Sequence, residues 1–191
     1  MEKFFSNLWA VVVAGFVLAI IVIVLPDYAV APGVSSYGLA TGVLQWLHVV
    51  FGIMWIGLLY YFNFVQTPVM PEIAAELKPA VSKHIAPKAL FYFRWGAALT
   101  VLAGLILAWL YGELDAFHFA SGKVLIGIGV WLGLIMAFNV WVIIWPAQKK
   151  VLGIAAADDS AKAKAAKVGL IASRTNVLLS IPMLLCMTNY R

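Results

Sequence analysis

Five apolar runs, at about 8–25, 42–65, 89–111, 124–145 and 168–187, limit what this chain can fold into. Each is near the roughly 20 residues that a helix rising about 1.5 Å per residue needs to cross a hydrocarbon layer. That layer offers no water to backbone N–H and C=O groups, so each run must satisfy them internally, as a helix. With 64% hydrophobic residues, 11% charged ones and a mean hydropathy of +0.99, a water-soluble fold is excluded. The expected fold is an all-α membrane protein: one integral membrane domain, 1–191, with about five transmembrane helices, helices 2–5 forming a bundle and helix 1 peripheral. The lipid bilayer is its first partner.

The net charge of +5 is carried by loops. Lys3 precedes the first run, Lys78, Lys83 and Lys88 separate the second and third, and Lys149, Lys150, Lys162, Lys164 and Lys167 separate the fourth and fifth. The alternate loops hold Asp27 in one case, and Glu113, Asp115 and Lys123 in the other. This is a topological signal rather than a nucleic-acid footprint. It places the N-terminus in the cytoplasm and Arg191 in the periplasm of a bacterial inner membrane. Ala29-Val30-Ala31 looks like a leader cleavage site, but the preceding run is long and Pro32 follows, so a retained anchor helix is expected.

Pro26, Pro68, Pro71, Pro79 and Pro87 are expected between spans, Pro146 at the close of the fourth, and Pro182 at a kink in the fifth. Residues 66–88 read as a short amphipathic surface helix, with Ile73, Leu77 and Val81 at helical spacing. The stretch 155–167 reads as a helical extension of the fifth span, with Asp158, Asp159 and Ser160 at its N-cap and first turn.

Ionisable residues inside a span are costly and point to function. His48 lies in the second span with Gly52 and Trp55 on its helix face, an arrangement that suits a flat macrocycle ligated by imidazole. It equally suits a histidine bonded to a backbone carbonyl, with Gly52 serving helix packing. For a second axial ligand, His118 lies in the loop on the same side, a metal pair of His48 and His118; Met54, Met136 or a five-coordinate iron are alternatives. A second polar layer holds Arg94, Arg174, Asn63 and Asn139, with Ser173, Asn176 and Ser180 as a stripe on the fifth span. It could clamp heme propionates or a quinone headgroup, or the arginines could snorkel while the stripe bonds other helices. Gly129 and Gly133, with Gly122 on the same face, predict close helix contact.

The single cysteine, Cys186, excludes an intrachain disulfide and a CxxCH heme attachment. No Walker loop, GxGxxG or HExxH occurs.

The strings WLHVVFGIMWIGLLYYFNFVQTP at 46–68, FYFRWGAALTVLAG at 91–104 and SRTNVLLSIPMLLCM at 173–187 resemble the membrane domain of bacterial membrane-bound urate hydroxylases, the urate oxidase N-terminal family. A looser similarity links His48 and its glycine-aromatic helix to small membrane heme proteins. The resemblance implies a membrane redox protein passing electrons toward the respiratory chain, with His48, Arg94, Arg174 and Asn176 as site residues. It is a short form without the cytochrome c domain that such enzymes commonly carry. The expected function is therefore electron transfer through a b-type heme on His48, with a quinone contact. The alternative is a cofactor-free accessory subunit. Either version is expected to work with other membrane subunits or as a homo-oligomer.

Overall fold

The structure, a computed structural model, describes residues 4, 6–23 and 36–189. The expectations about Lys3, Pro26, Asp27, Ala29-Val30-Ala31, Pro32 and Arg191 lie outside the described residues. The chain divides into two compact units, Met1–Val43 and Leu44–Arg191.

The first unit contains helix α1, Leu8–Ile23, and the opening turns of α2, Ser36–Tyr60. The Asn7 side chain accepts a hydrogen bond from the Ala10 amide at 3.2 Å and so caps α1. The 16 described residues of α1 reach about 24 Å.

The second unit is a bundle. Helix α2 continues past Tyr60 through a π-helical turn, Tyr61–Gln66, and a last turn, Thr67–Val69. It is followed by α3, Lys78–Leu110, α4, Val124–Val151, and α5, Asp159–Asn189. Among the described residues, these four helices are long and apolar enough to cross a membrane. Neighbouring helices run antiparallel. Gly129 of α4 lies against Cys186, Asn139 against Asn176 and Ala147 against Gly169, so the residue numbers run in opposite directions along α4 and α5. The core is Trp55, Leu59, Phe93, Ala97, Met136, Val140 and Ile144.

The helices are longer than the apolar runs, and proline chemistry explains how. No separate amphipathic helix spans 66–88: α2 runs to Val69 and α3 begins at Lys78. Three π-helical segments, Tyr61–Gln66, Val81–Ile85 and Asn139–Ile144, each end two residues before a proline: Pro68, Pro87 and Pro146. Proline has no N–H to donate, and its ring presses on the carbonyl four residues back. Widening the preceding turn relieves both problems without breaking the helix. The expectation that Pro68, Pro79 and Pro87 lie between helices, and that Pro146 closes one, is corrected accordingly. Helix α5 continues through Pro182. At its start the Asp158 carboxylate accepts the Ala161 amide at 2.7 Å, which is the expected N-cap.

The connection from α3 to α4 is a 3-10 turn, Leu114–His118, stitched to the bundle. Lys123 bridges Glu113 at 3.3 Å and donates to the Gly112 carbonyl at 3.0 Å, and the Trp131 indole donates to the Phe117 carbonyl at 3.1 Å. Gly127 of α4 lies directly under the Ala116 carbonyl.

The expected glycine face is only partly an interface. A side chain at Gly129 would meet Cys186 Cβ at 3.0 Å, whereas nothing lies within 4 Å of one at Gly133. Gly122 precedes α4 in a turn with φ of +78°, a backbone conformation suited to glycine. Gly127→Ala should therefore destabilise the bundle by about 1–3 kcal/mol, because backbone must move. Gly133→Ala should be neutral or slightly stabilising, as expected for an unobstructed helix position. Thermal unfolding in detergent, followed by circular dichroism, checks the pair.

Candidate functional site

His48 is half-buried where α2 crosses α3, and its Nδ1 lies 2.8 Å from the Thr100 carbonyl oxygen. A carbonyl only accepts, so Nδ1 carries the proton and donates it; in the neutral imidazole the lone pair is then on Nε2. The facing residue is Gly104, where a Cβ would come within 2.9 Å of His48 Cε1. Two turns earlier, a Cβ at Gly96 would meet the Trp55 amide nitrogen at 3.2 Å. Gly96, Thr100 and Gly104 thus form a small-residue stripe at four-residue spacing, and it brings the α3 backbone close enough for the histidine to bond. The Thr100 hydroxyl turns back onto the Gly96 carbonyl at 2.7 Å.

Gly52 and Trp55 lie in this crossing. Gly52 faces the Thr100 methyl at 3.8 Å, and Trp55 is a core residue, 1% exposed. Both hold α2 on α3. His118 is exposed at the end of the 3-10 turn, and no hydrogen bond joins it to His48 among the described residues. Nor do the described residues contain a group of three or more His, Cys, Asp or Glu side chains suited to a metal ion.

The second polar layer is a set of interhelical hydrogen bonds. Asn63 Nδ2 donates to Ser173 Oγ at 2.8 Å and to the Leu59 carbonyl at 2.8 Å. Asn139 Nδ2 donates to Asn176 Oδ1 at 2.8 Å, while Asn176 Nδ2 donates to the Met136 carbonyl at 3.0 Å. Tyr60 and Ser180 hydroxyls are 3.0 Å apart. The stripe on α5 therefore ties α5 to α2 and α4, and Asn176, 0% exposed, has both ends of its amide occupied. Asn63 and Asn139 sit in two of the π-helical turns.

The arginines differ. Arg174 is exposed on α5. Arg94 stacks on the Trp145 indole, its Cζ 3.4 Å from the ring centroid, with Nε and Nη1 buried and without hydrogen-bond partners.

A cleft of about 380 Å³ opens between α2, α3, α4 and α5, beyond the asparagine layer from His48. Phe62, Leu90, Phe93 and Ile144 supply apolar wall; Gln66, Gln148, Lys167 and Ser173 supply polar groups. Gln66 Oε1 is buried without a partner. Each π-helical segment lends or adjoins a wall residue: Phe62 and Gln66, Ala86, and Ile144.

Residues 108–190 match the urate oxidase N-terminal family. No curated protein and no solved structure matches the chain. The urate oxidase N-terminal match runs from the end of α3 through α4 and α5, and it bears out the resemblance carried by Ser173–Met187. It includes Asn139 and Asn176; the strings at 46–68 and 91–104, with His48 and Arg94, lie before it.

Sequence reasoning missed Thr100 and Gly104 as partners of His48, although the spacing of Gly96, Thr100 and Gly104 was a legible signal. It also missed Trp145 as the partner of Arg94 and Gln66 as an unpartnered acceptor. Nothing in a single sequence pairs those residues.

Asn139→Leu should cost about 1–3 kcal/mol by stranding the Asn176 carbonyl group. The double variant Asn139→Leu/Asn176→Leu should cost less than the sum of the two single changes. Unfolding in mixed micelles provides the double-mutant cycle.

Proposed function

We propose that this chain is a membrane-embedded electron-transfer subunit that holds a b-type heme through His48. The reading also takes the chain to lie in the bacterial inner membrane with its lysine-rich loops in the cytoplasm. The observation behind the heme assignment is that the 2.8 Å bond from His48 Nδ1 to the Thr100 carbonyl, which a packing histidine would share, leaves the Nε2 lone pair as the atom that would hold iron. That bond presents Nε2 as the electron-pair donor and fixes the plane of the ring, as a backbone carbonyl does for metal-binding histidines. The residues fit the group in their donor chemistry. A b-type heme supplies a one-electron iron couple when bound.

His48 would hold the iron through Nε2, with Thr100 and Gly104 as its positioning residues. The apolar helices around His48 would keep bulk water from a bound heme, which would supply its one-electron couple in a low-dielectric setting. His48 is not among the residues that line the cleft at Gln66. On this reading a neighbouring subunit or a second copy, the partners expected from the sequence, would cover the macrocycle.

The quinone contact, on this reading, belongs to the cleft, where Gln66 Oε1 is available to a hydroxyl donor and Phe62 and Phe93 to a ring. His48 and Gln66 are separated by about 27 Å along α2, so these are two sites rather than two ends of one cofactor.

Protein purified in mild detergent should show Soret and α-band absorbance and a pyridine hemochrome of heme b. His48→Ala should abolish all three, and Gly104→Val, which displaces the imidazole, should lower heme content several-fold. His118→Ala should leave the spectrum unchanged. Folded protein from heme-sufficient cells with no hemochrome would overturn the assignment.

A further inference from the structure

Arg94 is a cation in a membrane-spanning helix with no counter-ion among the described residues. The ion pairs among the described residues join Lys123 to Glu113 and Asp115, and Lys162 to Asp159; none reaches Arg94. Its guanidinium lies flat on Trp145, and Lys149 Nζ is 5.9 Å from the centroid of the same ring, so two positive groups share one indole. An indole face attracts cations but brings no net negative charge, so the mutual repulsion of the two groups in an apolar layer stays uncompensated. On the same seam, farther from the lysine-rich end, Trp95 and Trp141 meet edge to face at 5.7 Å, with Trp95 46% exposed.

A paired positive charge near the end of α4 above an exposed aromatic surface is the complement of an anionic amphiphile. We propose that the α3–α4 seam holds one anionic phospholipid, its phosphate diester between Arg94 and Lys149 and its acyl chains over Trp95 and Trp141. A free phosphate would satisfy the charges but would leave the aromatic surface unused, and a zwitterionic lipid would bring its own cation into the pair. The seam is separate from His48, and the proposal stands independently of heme.

The test uses full-length protein in nanodiscs of equal phosphatidylglycerol and phosphatidylcholine, extracted and weighed by native mass spectrometry. Wild type should retain one phosphatidylglycerol in preference to phosphatidylcholine. Arg94→Gln and Lys149→Gln should each lower that retention by roughly tenfold, the scale of one charge-assisted hydrogen bond. Arg174→Gln, at an exposed site on α5, should not change it. If Arg94→Gln fails to fold, Lys149→Gln near the end of α4 decides. Equal retention in the folded variants, or equal retention of phosphatidylcholine, overturns the proposal. Displacement of the lipid by excess inorganic phosphate also overturns it, since the site would then be one for a free anion.

Discussion

Hydrocarbon solvates neither backbone nor side-chain polar groups, so polar side chains inside this bundle are driven to partners on another helix or on their own backbone, with Gln66 and Arg94 among the exceptions. Asn63, Asn139, Asn176, Tyr60 and Ser180 do so, and their bonds link α2, α4 and α5 at the level of the core. His48 obeys the same rule with a backbone carbonyl of α3. Each such bond is worth about 0.6 kcal/mol on average in a membrane, because the separated helices also find partners. Their larger effect is on register: a one-residue slip of α5 would leave several buried amides unpaired at once.

The three π-helical turns serve that register. Each lies just before a proline, and two of them carry the asparagines of the polar layer. A widened turn rotates the side chains that follow it relative to a regular helix and lets the helix continue past Pro68 and Pro146; Asn63 and Asn139, within these turns, bond α5. The same widening borders the cleft at Gln66, Ala86 and Ile144.

The helical membrane fold was legible because its cause is local: length and apolarity of a run decide whether it spans. The Asp158 cap was legible for the same reason. The proline positions misled because their effect depends on whether the preceding turn can widen, and that is decided by packing. At the candidate site, His48 could be selected from cost alone, but the identity of its partner depends on which face of α3 meets α2. The polar stripe on α5 was visible as a pattern. Its pairing with Asn63 and Asn139, and the contrast between Arg94 on Trp145 and Arg174 facing outward, required the helices to be assembled.

The account rests on the tautomer of His48, and solid-state nitrogen NMR of histidine-labelled protein in lipid reads it most directly, with His84→Gln and His118→Gln used for assignment. The predicted result is a protonated Nδ1 correlated with the Thr100 carbonyl and an Nε2 that carries no proton. A His48 protonated at Nε2, with Nδ1 bare and no correlation to Thr100, would contradict it.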